Sequence, residues 1–110
     1  MHELALTRSL IEVCSQQAQG ARILRVTVEV GALTCVMPEA LRFCFEACSV
    51  GTALADAELE IIMTPGWARC RDCGEEVELN ELLADCGCGS VNLAEWRGGD
   101  ALRIRSMEVV

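Results

Sequence analysis

Residues 65–99 read PGWARCRDCGEEVELNELLADCGCGSVNLAEWRGG, and the spacing of their cysteines governs how the chain is organised. Cys70-Arg71-Asp72-Cys73-Gly74 has the form of a turn that wraps two thiolates around one metal ion. Two intervening residues let both sulfurs point inward, and the trailing glycine accepts a backbone conformation that other residues resist. The second half, Asp85-Cys86-Gly87-Cys88-Gly89, carries a Cys-x-Cys, and the 12 residues 74–85 separate it from the first pair. That excursion is long enough to return the second pair to the first, as in a zinc ribbon. Soft thiolates in a tetrahedral set select Zn(II) over magnesium or calcium. The expected zinc ligands are Cys70, Cys73, Cys86 and Cys88. The tighter Cys-x-Cys ring leaves one alternative, in which Asp85, three residues before Cys88, supplies an oxygen in place of Cys86. A redox dithiol of the thioredoxin type would precede a helix, whereas Glu75 to Leu79 reads as a strand.

Working outward, the segment between Pro65-Gly66 and Gly98-Gly99 shows little apolar periodicity and is expected to depend on the metal for its order. Its flanks are different. Residues 4 to about 19 read as an amphipathic helix with Leu6, Leu10, Val13, Cys14 and Gln17 at three- and four-residue steps. Residues 22–30 alternate, placing Leu24, Val26, Val28 and Val30 on one face of a strand that Gly31 ends. Pro38 suits the first turn of a second helix, followed by Glu39 at the positive end of the dipole, with Leu41, Cys44, Phe45 and Cys48 as its apolar stripe. Residues 58–63 form a second strand with Leu59, Ile61 and Met63 on one face. Residues 101–110 form a third, whose shift of phase after Ile104 predicts a bulge or cover on both faces. The remaining cysteines, Cys14, Cys35, Cys44 and Cys48, are expected in the core, where a free cysteine behaves as a small hydrophobe.

The bulk numbers exclude several functions. The 110 residues suffice for one small domain and a minor module, and 52% hydrophobic content supports a packed core. Nine arginines against 17 acids give a formal charge of −8, so phosphate backbones and anionic lipid are repelled, and neither nucleic acid nor membrane is an expected partner. There is no lysine, which removes Walker-type phosphate loops and Schiff-base catalysis. One histidine, no lysine and no tyrosine leave few acid–base groups, so an enzyme is not expected. Eight cysteines without a signal peptide point to thiols and metal in the cytoplasm.

The lone histidine is His2. Its imidazole and main-chain nitrogen form one chelate ring, the Met1 amine adds another, and the Glu3 amide or carboxylate completes four positions. A planar, nitrogen-rich set suits Ni(II) or Cu(II) rather than zinc's tetrahedron. A site at a chain end suits exchange more than storage, and it weakens as the imidazole protonates.

Over nearly its whole length the chain resembles the HypA/HybF family of hydrogenase maturation nickel metallochaperones. The resemblance rests on Met1-His2-Glu3-Leu4, Gly31-Ala32-Leu33, Pro38-Glu39-Ala40-Leu41-Arg42-Phe43 running into Phe45-Glu46, Gly51-Thr52, Leu59-Glu60-Ile61, the Cys70/Cys73 knuckle, and Leu102-Arg103-Ile104 with Ser106-Met107-Glu108-Val109. It implies transferable nickel on His2 with help from Glu3, and structural zinc on the four knuckle cysteines. It also implies an α+β fold: a three-stranded sheet packed against two helices as the nickel domain (1–65 and 100–110), with an inserted zinc-ribbon-like domain (66–99). Delivery to the [NiFe]-hydrogenase large subunit with a GTPase partner follows from the same resemblance, and a weak homodimer is compatible with it. The family usually has a second Cys-x-x-Cys, from which Cys86-Gly87-Cys88 departs. The competing reading is a zinc-stapled adaptor without metal transfer.

Overall fold

The computed structural model of the chain describes residues 2–110, apart from the His2 side chain. Met1 and that side chain, both expected to bind nickel, lie outside the described residues. The elements run α1 (His2–Ala18), β1 (Ile23–Gly31), a single 3-10 turn (Ala32–Thr34), α2 (Pro38–Cys48), β2 (Glu58–Thr64), β3 (Gly66–Cys70), β4 (Glu76–Leu79), β5 (Leu93–Arg97) and β6 (Leu102–Val109). The fold is α+β, with two helices and two three-stranded sheets ordered β2-β1-β6 and β4-β3-β5. The chain divides into two compact units, one of residues 1–29, 36–62 and 103–110, the other of residues 30–35 and 63–102.

In the first unit, α1 packs against α2, and the buried side chains come from both helices and from β1 and β2. The buried stripe of α1 is Thr7, Leu10, Ile11 and Cys14, whereas Val13 and Gln17, expected inside, are exposed. Periodicity fixes the step along a helix, but its neighbours fix which face turns inward. Thr7 hides from a hydropathy reading because its hydroxyl is satisfied locally, donating to the Glu3 carbonyl at 2.6 Å. In β1 the expected Leu24 is exposed and Ile23 is buried, its N–H held by the Ala53 carbonyl at 3.0 Å. Val26 and Val28 are buried on one face. Thr27 is buried on the other, donating to Glu60 Oε1 at 2.9 Å. That is what a central strand requires.

Pro38 opens α2 at its first turn, and Leu41 and Phe45 carry its buried face. Arg42 Nη1 donates to the Leu59 carbonyl at 2.6 Å and so joins α2 to the edge strand β2. β6 is the other edge strand and is exposed along most of its length, so of the two readings of its phase shift, a bulge or cover on both faces, the second does not hold. Cys14 is buried and Cys44 and Cys48 are half-buried. Cys35, expected in the core, is exposed, because it ends the 3-10 turn in a left-handed conformation (φ 63°).

In the second unit, β3 is the central strand and pairs antiparallel with both β4 and β5. Its alternation is strict: Gly66, Ala68 and Cys70 point inward, Trp67 and Arg69 outward. The core is small, consisting of Ala68, Cys70, Val77, Leu79 and Cys86, with Leu33, Ala84 and Leu93 packed half-buried against it. Two of its five buried members are therefore cysteines, so the expected zinc ligands and the core overlap.

Candidate metal centre

Each cysteine pair sits where a strand or loop is bent back by its own backbone. At the first pair, Cys70 ends β3, its N–H donates to the Glu75 carbonyl at 2.9 Å, and the Gly74 N–H donates to the Cys70 carbonyl at 2.8 Å. At the second, the Cys86 N–H donates to the Ser90 carbonyl and the Gly89 N–H to the Cys86 carbonyl, both at 2.8 Å. The two turns are built alike, with every partner of the second one residue nearer. That is the length by which Cys-x-Cys is shorter than Cys-x-x-Cys. Gly74 and Gly89, following the second cysteine of each pair, take left-handed conformations (φ 78° and 91°) that a side chain would oppose.

The sulfurs converge. Cys70 Sγ lies 3.7 Å from Cys88 Sγ, Cys73 Sγ lies 3.5 Å from Cys86 Sγ, and all four fall within 4.8 Å of one another. A tetrahedral zinc with Zn–S bonds of about 2.3 Å has sulfur–sulfur edges of about 3.8 Å, so the donor set fits. A disulfide needs about 2.05 Å, and all four are free thiols. Cys70 and Cys86 are buried while Cys73 and Cys88 face solvent. Asp85, the alternative oxygen ligand, is exposed and stands outside this group.

Backbone amides and neighbouring thiols set the protonation of the cluster. The Cys73 N–H, despite the opposing effect of desolvation, and the Asp72 N–H hold the Cys70 thiol down at about 6. The Glu75 N–H favours the thiolate of Cys73, but the adjacent Cys86 thiol, desolvation and the other two sulfurs push Cys73 up to about 12. Cys88 accepts the Ser90 N–H and is nonetheless raised, chiefly by Cys86 and desolvation. Four sulfurs this close cannot all ionise unaided, and a bound dication reverses that balance. The same amides remain available as N–H···S donors to metal-bound thiolates. The spacing of cysteines gave no sign of a further tie, in which Ser90 Oγ donates to the Asp72 carboxylate and so staples one knuckle to the other. Ser90 also takes the Asn92 N–H at 3.0 Å.

At the other expected site, Glu3 lies in the first turn of α1, and its Oε2 accepts the Met37 N–H at 3.2 Å. The main-chain N–H groups of Glu3 itself and of Met37 keep its carboxyl below the usual range. Glu3, expected to help hold nickel, is thus seated against the residue that precedes α2.

No helix among the described residues is long and apolar enough to cross a membrane. The profile of the family described as hydrogenase/urease nickel incorporation metallochaperone HypA matches residues 1–109. The chain is 45% identical over 109 residues to a hydrogenase maturation factor HypA of a Nostoc species, covering 99% of this chain and 96% of that one. It is 40% identical to that of Geotalea daltonii, with all of both chains covered. Among solved structures it is similar to the nickel metallochaperone HypA of Helicobacter pylori, with TM-score 0.67, 25% identity, and coverage of 98% of this chain and 97% of the other. A second HypA solution structure has TM-score 0.68 at 28% identity, covering 100% and 97%. With nearly every residue aligned and a four-cysteine cluster that fits zinc, the chain belongs to the HypA family of hydrogenase maturation and nickel incorporation metallochaperones.

Proposed function

We propose that this chain takes up Ni(II) through His2, with Glu3 and the Met1 amine, and delivers it to the [NiFe]-hydrogenase large subunit with the help of a GTPase partner. Structural Zn(II) is held by Cys70, Cys73, Cys86 and Cys88, within a zinc-binding segment of residues 66–99 set into a nickel-binding domain of 1–65 and 100–110. The setting is the cytoplasm, and the protein is a carrier, not an enzyme. The observation that carries the zinc assignment is the convergence of four sulfurs at tetrahedral edge lengths. The nickel assignment is supported by family membership across residues 1–109 together with a single histidine at position two. The roles separate by chemistry. Thiolates hold zinc tightly and keep it, whereas a few nitrogens at a chain end hold nickel loosely enough to release it.

Nickel titration of untagged, zinc-loaded protein tests this. Wild type is expected to take up Ni(II) saturably, and His2→Ala to lose at least tenfold in affinity with its zinc content unchanged. An N-terminal tag removes the free amine and is expected to weaken uptake on its own. Equal nickel binding by wild type and His2→Ala would defeat the delivery reading. Hydrogenase maturation that survives His2→Ala but not Cys73→Ala would leave a zinc-stapled adaptor.

A further inference from the structure

The second unit carries an apolar groove whose lining includes none of the four cluster cysteines, with a volume of about 510 Å³ and walls formed by Leu82, Leu83, Ala84, Val91, Leu93 and Trp96. Its rim is open to solvent: Leu83 is 91% exposed, Val91 76% and Trp96 49%. A small unit would ordinarily bury such side chains, and apolar surface gathered in this way marks a binding face.

The backbone is bent to build it. On β3 two steps separate Trp67 from Arg69, but their partners Arg97 and Ala94 on β5 are three apart, so β5 carries a bulge. Glu95, inside that bulge, sits at φ 55°, a conformation that L-residues disfavour. Arg97 and Ala94 are opposite the outward Trp67 and Arg69, and the extra residue turns Trp96 toward the side of the sheet where Leu93 packs. The indole is fixed there, its Nε1 donating to the Leu93 carbonyl at 3.3 Å. Without the bulge, alternation would send Trp96 to the same face as Ala94, away from the groove. The strain thus produces one visible result, an aromatic wall for the groove.

Charge selects the occupant. The second unit holds eight carboxylates against three arginines, a formal charge of −5 before any thiolate is counted. Asp85 lines the groove and Glu81 adjoins Leu82, and among the described residues neither carboxylate has an ion-pair partner. The nearby cation Arg97 is committed to Glu76, and Arg69 to Glu76 and Glu95. A second copy of this chain would bring the same acidic rim against itself, and an anionic lipid surface would be repelled.

We infer that this groove docks a cationic amphipathic segment of a partner protein, a helix whose apolar side chains enter between Leu83, Val91 and Trp96 while its arginines or lysines meet Glu81 and Asp85. Recognition follows the helix-in-groove mode, with apolar anchors at i, i+3, i+4 and i+7. The site goes beyond nickel delivery, since among the described residues its lining includes none of the four cluster cysteines and not Glu3.

The test uses the full zinc-loaded chain and three synthetic peptides: leucines at i, i+3, i+4 and i+7 among arginines, the same with glutamate for arginine, and a scrambled leucine–arginine sequence. In ¹⁵N-correlated NMR the first peptide is expected to shift the Trp96 indole and the Leu82, Leu83 and Val91 amides saturably. The other two are expected to bind at least tenfold more weakly. Leu83→Ser and Glu81→Arg, both at exposed positions, are expected to weaken the first peptide at least tenfold with zinc content and nickel uptake unchanged. Equal binding of the glutamate peptide would overturn the charge argument, and equal binding of the scrambled one would overturn the groove. Self-association of the chain abolished by Leu83→Ser would identify a second copy as the occupant instead. A chain that binds the first peptide but no nickel would leave the groove standing and defeat only the delivery reading.

Discussion

Three backbone segments of the second unit cross so closely that glycine is required at each, and alanine substitutions there separate two costs that usually arrive together. A Cβ on Gly99 would lie 2.5 Å from the Gly66 nitrogen and 2.7 Å from its Cα, and Gly99 also has φ 68°. A Cβ on Gly31 would strike the Gly99 carbonyl and come within 2.8 Å of the Asp100 nitrogen, yet Gly31 has an ordinary φ of −67°. Gly98 is the converse, with φ 72° but no atom nearer than 3.6 Å. Gly98→Ala therefore isolates the left-handed penalty, about 1–2 kcal/mol. Gly31→Ala isolates the clash with main-chain atoms that cannot swing aside, about 1–3 kcal/mol. It also displaces the 2.7 Å bond from the Leu33 N–H to the Gly99 carbonyl, which adds about 1 kcal/mol. Gly99→Ala combines both costs, about 2–5 kcal/mol.

The assay is urea unfolding followed by tryptophan emission, because Trp67 and Trp96 both belong to the second unit and report on nothing else. Zinc concentration must be identical throughout, since ligand binding shifts apparent stability by mass action. The expected order of destabilisation is Gly99→Ala at least as large as Gly31→Ala, with Gly98→Ala smallest. A Gly31→Ala protein within about 0.5 kcal/mol of wild type would refute the crossing, because that is the range of an ordinary surface change. Gly98→Ala as damaging as Gly99→Ala would show that conformation, not proximity, is the constraint.

Zinc removal by a strong chelator is expected to shift tryptophan emission to the red while the helical far-UV signal of α1 and α2 persists, because two of the five buried residues in the second unit's core cluster are cluster cysteines; unchanged emission in metal-free protein would contradict this. Arg42→Met keeps most of the side chain's packing but loses the 2.6 Å bond to the Leu59 carbonyl, and a loss of about 1–2 kcal/mol in thermal or urea unfolding is expected for this partly exposed charged donor. Cys14, buried with its thiol raised by desolvation, is expected to be the slowest of the four non-cluster cysteines to alkylate in folded protein, and exposed Cys35 the fastest, as read by mass spectrometry. Because the folded state holds the Cys14 proton more tightly than the unfolded state, its contribution to stability is complete below the ordinary thiol pKa. That contribution is lost as pH rises through the elevated one, so Cys14→Ala is expected to flatten the alkaline fall in stability.

Elements whose physics is local were legible in the sequence. Pro38 and Glu39 announce the start of α2, Val26 and Val28 announce a buried strand, and Glu75 to Leu79 reads as the strand observed at Glu76–Leu79. What failed on the faces of α1 and β1 was a question of which neighbour lay opposite. Val13 and Leu24 are as apolar as the residues that are buried, and only the placement of α2 and of Ala53 turns Thr7 and Ile23 inward instead. Nor does the sequence show the small core of the second unit, because Leu33 joins it from residues 30–35, far from the strands it covers.

At the cluster the limit was different, since every candidate ligand was visible and only the choice between Asp85 and Cys86 was not. Counting from Cys88, a regular Cys-x-x-Cys would place its first ligand at position 85, so a register rule favours the aspartate. The backbone obeys another rule: the two main-chain hydrogen bonds that close the first knuckle on itself have counterparts in the second that are shorter by one residue, Cys70 to Glu75 against Cys86 to Ser90, and Gly74 to Cys70 against Gly89 to Cys86. A loop shortened at every step carries its first sulfur with it, which sets Cys86 against Cys73 at 3.5 Å and leaves Asp85 outside, on the wall of the groove. The shorter spacing is therefore absorbed by a shorter turn, and the residue it leaves out, Asp85, is the carboxylate that the proposed docking helix would meet.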